Sequence, residues 1–163
     1  MRRAVVLVLT LAALAALAGC GVRPSGVVRA GEAPRKYTTE VTALYFQMHG
    51  LLARTERIDP KALNVSQKVD LLLAGPNPAE RGQGYETALP ATSGGGVQVV
   101  RVAPHRYELR MNTPVATLSA TALDQLVCTV LAGEAAEHAM AVGSVVAVVG
   151  TAGRREDRGC PVV

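Results

Sequence analysis

Residues 71 to 90 read LLLAGPNPAERGQGYETALP, and no single regular element can run through them. The leucines continue a helical period begun at Val65 and Val69, so that Val65, Val69, Leu72 and Leu73 fall at i, i+4, i+7 and i+8. Such a stripe demands a partner surface. Gly75 then suits the left-handed position just past a helix, and Pro76 has no amide hydrogen with which to continue it. A helix is therefore expected from a cap at Asn64 or Ser66 to an end at Ala74. A glycine-rich stretch also suggests a phosphate cradle, but anions sit at helix N-termini and these glycines follow a C-terminus. The spacing fits neither the dinucleotide fingerprint nor the phosphate-loop pattern. The stretch reads as turn chemistry: Gly75 caps, Pro76 and Pro78 stiffen, and Gly82 and Gly84 permit bends.

Strand patterns lie on both sides of this helix. VTALYFQM, a His49-Gly50 turn and LLARTERI predict a hairpin from Val41 to Ile58. Of its neighbouring aromatics Tyr45 and Phe46, one is expected in the core and the other half-exposed. Further on, VQVVRVA and RYELRM flank Pro104-His105. Tyr107, Leu109 and Met111 alternate there with Arg106, Glu108 and Arg110, so one face is buried and the other charged. Ser119 or Thr121 starts a second helix whose stripe is Leu123, Leu126, Val127, Val130 and Leu131, with Cys128 at its edge. MAVGSVVAVVG suits a buried strand, RREDRG reads as a charged loop, and a short strand fits between Glu86 and Leu89. The expected fold is α+β: one mostly antiparallel or mixed sheet with two helices packed on one face.

The N-terminus bears on the compartment. Arg2 and Arg3 precede an apolar run from Ala4 to Ala18, interrupted by Thr10, which is shorter than the ~20 residues of a membrane span. That is the pattern of a secretory signal. Leu17-Ala18-Gly19-Cys20 resembles the bacterial lipoprotein signal, which implies cleavage before Cys20 and a diacylglycerol on its thiol. Acyl chains worth ~0.8 kcal/mol per buried methylene would then hold the chain on a membrane. The expected division is a signal peptide over residues 1–19, a flexible Gly/Pro/Arg/Ser-rich tether over 20–40, and one domain over 41–163.

The whole chain carries a formal charge of +4, and Arg2 and Arg3 supply half of it. The remaining balance gives no argument for nucleic-acid binding, and a secretory address argues against it. Outside the cytoplasm, Cys128 and Cys160 are expected to form a disulfide rather than a catalytic thiol. Closing that loop stabilises a fold by roughly 3–4 kcal/mol in the chain-entropy picture. Glu80, Glu86 and Asp70 read as solvated carboxylates rather than a glycosidase pair. His49, His105 and His138 lack close metal-ligand spacing, and no Gly-x-Ser-x-Gly elbow occurs. No catalytic residue, metal or cofactor is assigned.

Leu-Leu-Ala-Gly-Pro, Glu80-Arg81, Gly84 and Thr87-Ala88-Leu89-Pro90 together resemble the signature of the sporulation and spore-germination (GerMN) domain family. Val41 to Met48 is similar to that family's opening strand, and Asp124 to Thr129 to its second helix, so the resemblance spans about Val41 to Gly150. It implies a small α+β module on the outer face of the cytoplasmic membrane, similar to ring-building motifs and without catalytic activity. It also implies a protein partner in the cell envelope, including sporulation assemblies. The chain departs from the pattern at Cys128, where an aromatic is frequent, and at Val149-Gly150, where a charged residue often precedes the glycine. The runner-up is a lipoprotein that captures a small molecule or cell-wall fragment in a groove on the sheet.

Overall fold

The turn at His49-Gly50 sets the first sheet. The computed structural model of the chain describes residues 40–59, 61–91, 96–138 and 143–162. The expected signal peptide, Cys20 and the tether as far as residue 39 lie outside them. β1 (Glu40–Met48) and β2 (Leu51–Asp59) pair antiparallel from Glu40↔Asp59 to Met48↔Leu51. His49 and Gly50 both take positive φ, 53° and 78°, the two-residue turn whose twist matches that of the strands. β3 (Tyr85–Glu86) adds to the far side of β1, giving the order β2-β1-β3.

A second sheet holds β4 (Gln98–Ala103), β5 (Arg106–Arg110), β6 (Val145–Val149) and β7 (Arg154–Arg158), in that order. β5 and β6 run parallel, and the other pairs are antiparallel. The class is α+β, but the single sheet expected from the sequence is divided in two. A further correction concerns RREDRG, which supplies the strand β7 rather than a loop. Its charges suit an edge strand, where they discourage unwanted pairing, while its backbone completes the ladder of the buried β6.

Three helices occur among the described residues, α1 (Val65–Leu73), α2 (Pro78–Gly82) and α3 (Ala120–Glu137); α1 and α3 pack into the interior, whereas the short α2 buries only Glu80. Asn64 caps α1 in a reciprocal box with Gln67, and Gly75 follows the helix at φ 82°. Ser119 caps α3 by accepting the amide hydrogen of Ala122. α3 is the crossover between the parallel strands β5 and β6, and it touches α1, β1 and β6. It is therefore buried around most of its circumference, beyond the expected stripe, and Cys128 is fully buried rather than at an edge. Tyr45 and Phe46 are both buried, where one had been expected half-exposed. α1 approaches α3 at Gly133, where a Cβ would stand 3.1 Å from Val65. No helix among the described residues is long and apolar enough to cross a membrane.

Candidate functional site

The glycine- and proline-rich stretch folds into a clasp. Asn77 caps α2 with Pro78 in the first turn, and Glu80 returns a carboxylate oxygen to the Asn77 amide hydrogen at 2.7 Å. Arg57 on β2 grips the same carboxylate with both ends of its fork, Nε to Oε1 at 2.9 Å and Nη2 to Oε2 at 2.6 Å. Its Nη2 also donates to the Gly75 carbonyl at 3.0 Å, at the negative end of α1. The Arg81 guanidinium donates to the Pro76 carbonyl. Arg57 further lies over the Phe46 ring, 5.7 Å from its centroid. Glu80, expected on a solvated face, is 5% exposed, and the Arg57 guanidinium holds its carboxyl below the usual range although burial opposes this. Gly82 sits inside α2 and makes no bend, whereas Gly84 at φ 91° does. This stretch offers no open anion cradle, since its polar groups already serve one another.

A second arrangement closes the sheet edge beside β3. Tyr45 donates its amide hydrogen to Thr129 Oγ1 at 3.1 Å, and its carbonyl accepts from Gln125 Nε2 at 3.2 Å. Both partners lie on α3 and are fully buried. Gln125 Oε1 accepts the Ala88 amide hydrogen at 2.8 Å, which holds Thr87 to Pro90 against the helix. Side chains of α3 thus do for β1 what a neighbouring strand would do.

These two fastenings leave the opposite face of the hairpin open. A groove of about 510 Å³ lies there, floored by Val41, Ala43 and Tyr45 and walled by Ala132, Ala135 and Ala136 of α3. Arg54 and Glu56, paired at 2.7 Å, mark its rim, while Lys68 reaches in and pairs with Glu137 at 3.4 Å. Val41 and its cross-strand neighbour Ile58 are 50% and 73% exposed. The surface is apolar at its floor and charged at its margin.

The residues singled out in the sequence fall elsewhere. Cys128 on α3 and Cys160 beyond β7 stand at disulfide distance, Sγ to Sγ 1.97 Å. Arg158 grips Asp124 nearby through Nε and Nη2, and this carboxylate holds the guanidinium more firmly protonated. His49 and His105 occupy turns, both at positive φ, and His138 caps the end of α3. Among the described residues no cluster of three or more His, Cys, Asp or Glu side chains is placed to hold a metal ion. On the second sheet, Glu108 of β5 receives Arg110 at 2.7 Å and Arg154 of β7 at 3.0 Å, which keeps its carboxyl below the ordinary range. These groups reach across β6 above Ala147, the small residue opposite Glu108. At the far end of α3, burial and then Glu137 push the Glu134 carboxyl upward.

Sequence reasoning missed the Arg57–Glu80 clasp, the Gln125 and Thr129 edge cover, and the groove. Asn77 followed three residues later by Glu80 carries a legible capping signal for the first. Comparison with protein-family models, curated proteins and solved structures finds no match for the chain. Chemically, the groove suits apolar side chains with charges at their margin, and its floor brings no nucleophile and base together.

Proposed function

We propose that the chain is a lipid-anchored protein on the outer face of the cytoplasmic membrane, carrying a non-catalytic, GerMN-like module that binds another envelope protein. The observation that carries the interaction role is the open face of the β1–β2 hairpin, an apolar floor beside an alanine-lined helix with an ion pair at its rim. Such a surface favours burial against a complementary protein. The anchor rests on Leu17-Ala18-Gly19-Cys20, and the tether over residues 20–40 gives the domain reach from the membrane.

The anchor is tested by Cys20→Ser, which should release the protein from the membrane fraction or stall its processing. Unchanged membrane retention refutes lipidation. For the module, crosslinking in intact cells followed by mass spectrometry should join residues around the groove, such as Glu56, to one reproducible envelope protein. Scattered or absent crosslinks refute it.

The volume of the groove favours one further reading, capture of a small apolar molecule or cell-wall fragment. Native mass spectrometry of protein purified from cells decides between the two. A reproducible added mass, lost when Ala135→Trp fills the groove, identifies the small-ligand case.

A further inference from the structure

Strand β2 lies at the end of its sheet, and among the described residues no strand pairs with its outer edge. The two-residue turn fixes which backbone groups face that edge. Met48 and Leu51 face each other next to the turn, and the residues flanking a two-residue turn form a hydrogen-bonded pair, so alternate residues along β2 point toward β1, and Leu52, Arg54, Glu56 and Ile58 point away. The same alternation on β1 is visible at Tyr45, whose amide and carbonyl both leave the hairpin for α3. The outward-facing residues also carry their side chains on the open face, beside Val41 and Tyr45.

We propose that β2 pairs antiparallel with β2 of a second copy of this chain, about a two-fold axis at Thr55, so that two first sheets become one. This names a partner for the interaction module and rests on that reading. In the stretch Leu52-Ala53-Arg54-Thr55-Glu56-Arg57-Ile58, the alternate residues Leu52, Arg54, Glu56 and Ile58 are complementary to themselves when the stretch is reversed. With Thr55 opposite the partner's Thr55, Arg54 meets the partner's Glu56 and Leu52 meets the partner's Ile58 on the same face. Opposite charges across a ladder attract, and like charges directly opposite repel. A slip of two residues in either direction sets Arg54 against the partner's Arg54 or Glu56 against the partner's Glu56. Charge therefore selects one register. The side chains are available for this, with Arg54 and Glu56 54% and 52% exposed and Ile58 73% exposed. In one copy Arg54 already holds Glu56 at 2.7 Å, and the second copy turns that pair into four alternating charges. The Arg54 carbonyl accepts the Tyr85 hydroxyl at 3.2 Å and keeps a lone pair for the partner strand.

The test uses the full-length chain in intact cells with Thr55→Cys. Across the axis Thr55 forms a non-hydrogen-bonded pair, with Cα atoms about 4.5 Å apart and so within disulfide reach. Mild oxidation should give a reducible dimer on a denaturing gel, at least five times more abundant than with Gln98→Cys on the second sheet. Adding Arg54→Glu should cut that yield about tenfold, and adding Glu56→Arg as well should restore it. Equal yields for Thr55→Cys and Gln98→Cys, or no restoration by the swap, overturn the proposal. Sedimentation of the wild-type protein in detergent needs no substitution. It should show a dimer at micromolar concentration, and a monomer there overturns self-pairing. If self-pairing fails while an envelope protein still crosslinks at the groove, the interaction reading stands and this partner does not; if neither forms, both fall.

Discussion

Thr129 Oγ1 accepts the Tyr45 amide hydrogen at 3.1 Å, joining helix α3 to a strand 84 residues earlier. Both groups are buried, so neither can turn to water when the other is removed. Thr129→Val, which keeps the shape and deletes the acceptor, should cost about 1–3 kcal/mol in urea denaturation. Gln125→Leu should cost more, because the Tyr45 carbonyl and the Ala88 amide both lose a partner. A Thr129→Val loss below the noise of the measurement would mean that the edge is satisfied in another way.

Arg57 and Glu80 give a second prediction, with a defined pH sense. Arg57→Met leaves the Glu80 carboxylate buried without its cation and should destabilise the fold by about 3–5 kcal/mol at neutral pH. Because the folded state lowers the Glu80 pKa from its ordinary 4.5, the contribution is complete above that range. It is lost as pH falls through the lowered value. Thermal melting between neutral pH and pH 3 should show this acid loss in the wild type and a smaller one in Glu80→Gln. Parallel profiles for the two proteins would contradict the assignment.

Glycine positions separate sharply in the same way. At Gly150 a Cβ would meet the Thr113 carbonyl oxygen at 2.1 Å and Val115 Cγ1 at 2.7 Å. Backbone cannot give way as a side-chain tip can, so Gly150→Ala should cost about 3 kcal/mol or more, or prevent folding. Gly82→Ala, in α2 with nothing within 4 Å, should be neutral or stabilising by up to ~1 kcal/mol. Melting temperatures of the two variants check both statements.

What the sequence made legible was local. Asn64 and Gly75 bound α1, His49-Gly50 turns the hairpin, and the Tyr107, Leu109, Met111 alternation marks β5, because each signal lies within a few residues of its effect. The division into two sheets was not legible, since it depends on Gln125 and Thr129, which are unremarkable polar positions until Tyr45 stands opposite them. Glu80 looked solvated for a similar reason: its partner Arg57 is 23 residues away, on another element. Arg154 to Arg158 looked like a loop because charge suits loops and edge strands alike. α2 was hidden by glycine and proline density, although Asn77, Pro78 and Glu80 spell a helix start. The groove combines Tyr45 with Ala132 and Ala135, and no window along the sequence holds them together.

The fastening of Tyr45 by α3 also sets a timetable. In a chain that emerges N-terminus first, from a ribosome or from an export channel, the hairpin appears before the side chain that will receive the Tyr45 amide, which lies 84 residues further along. Until that side chain follows, the strand has one edge without its cover, exposed to any other extended chain nearby. The interval ends when Gln125 and Thr129 have emerged and the helix docks. The late position of α3 in the chain thus places that exposure before the molecule is complete.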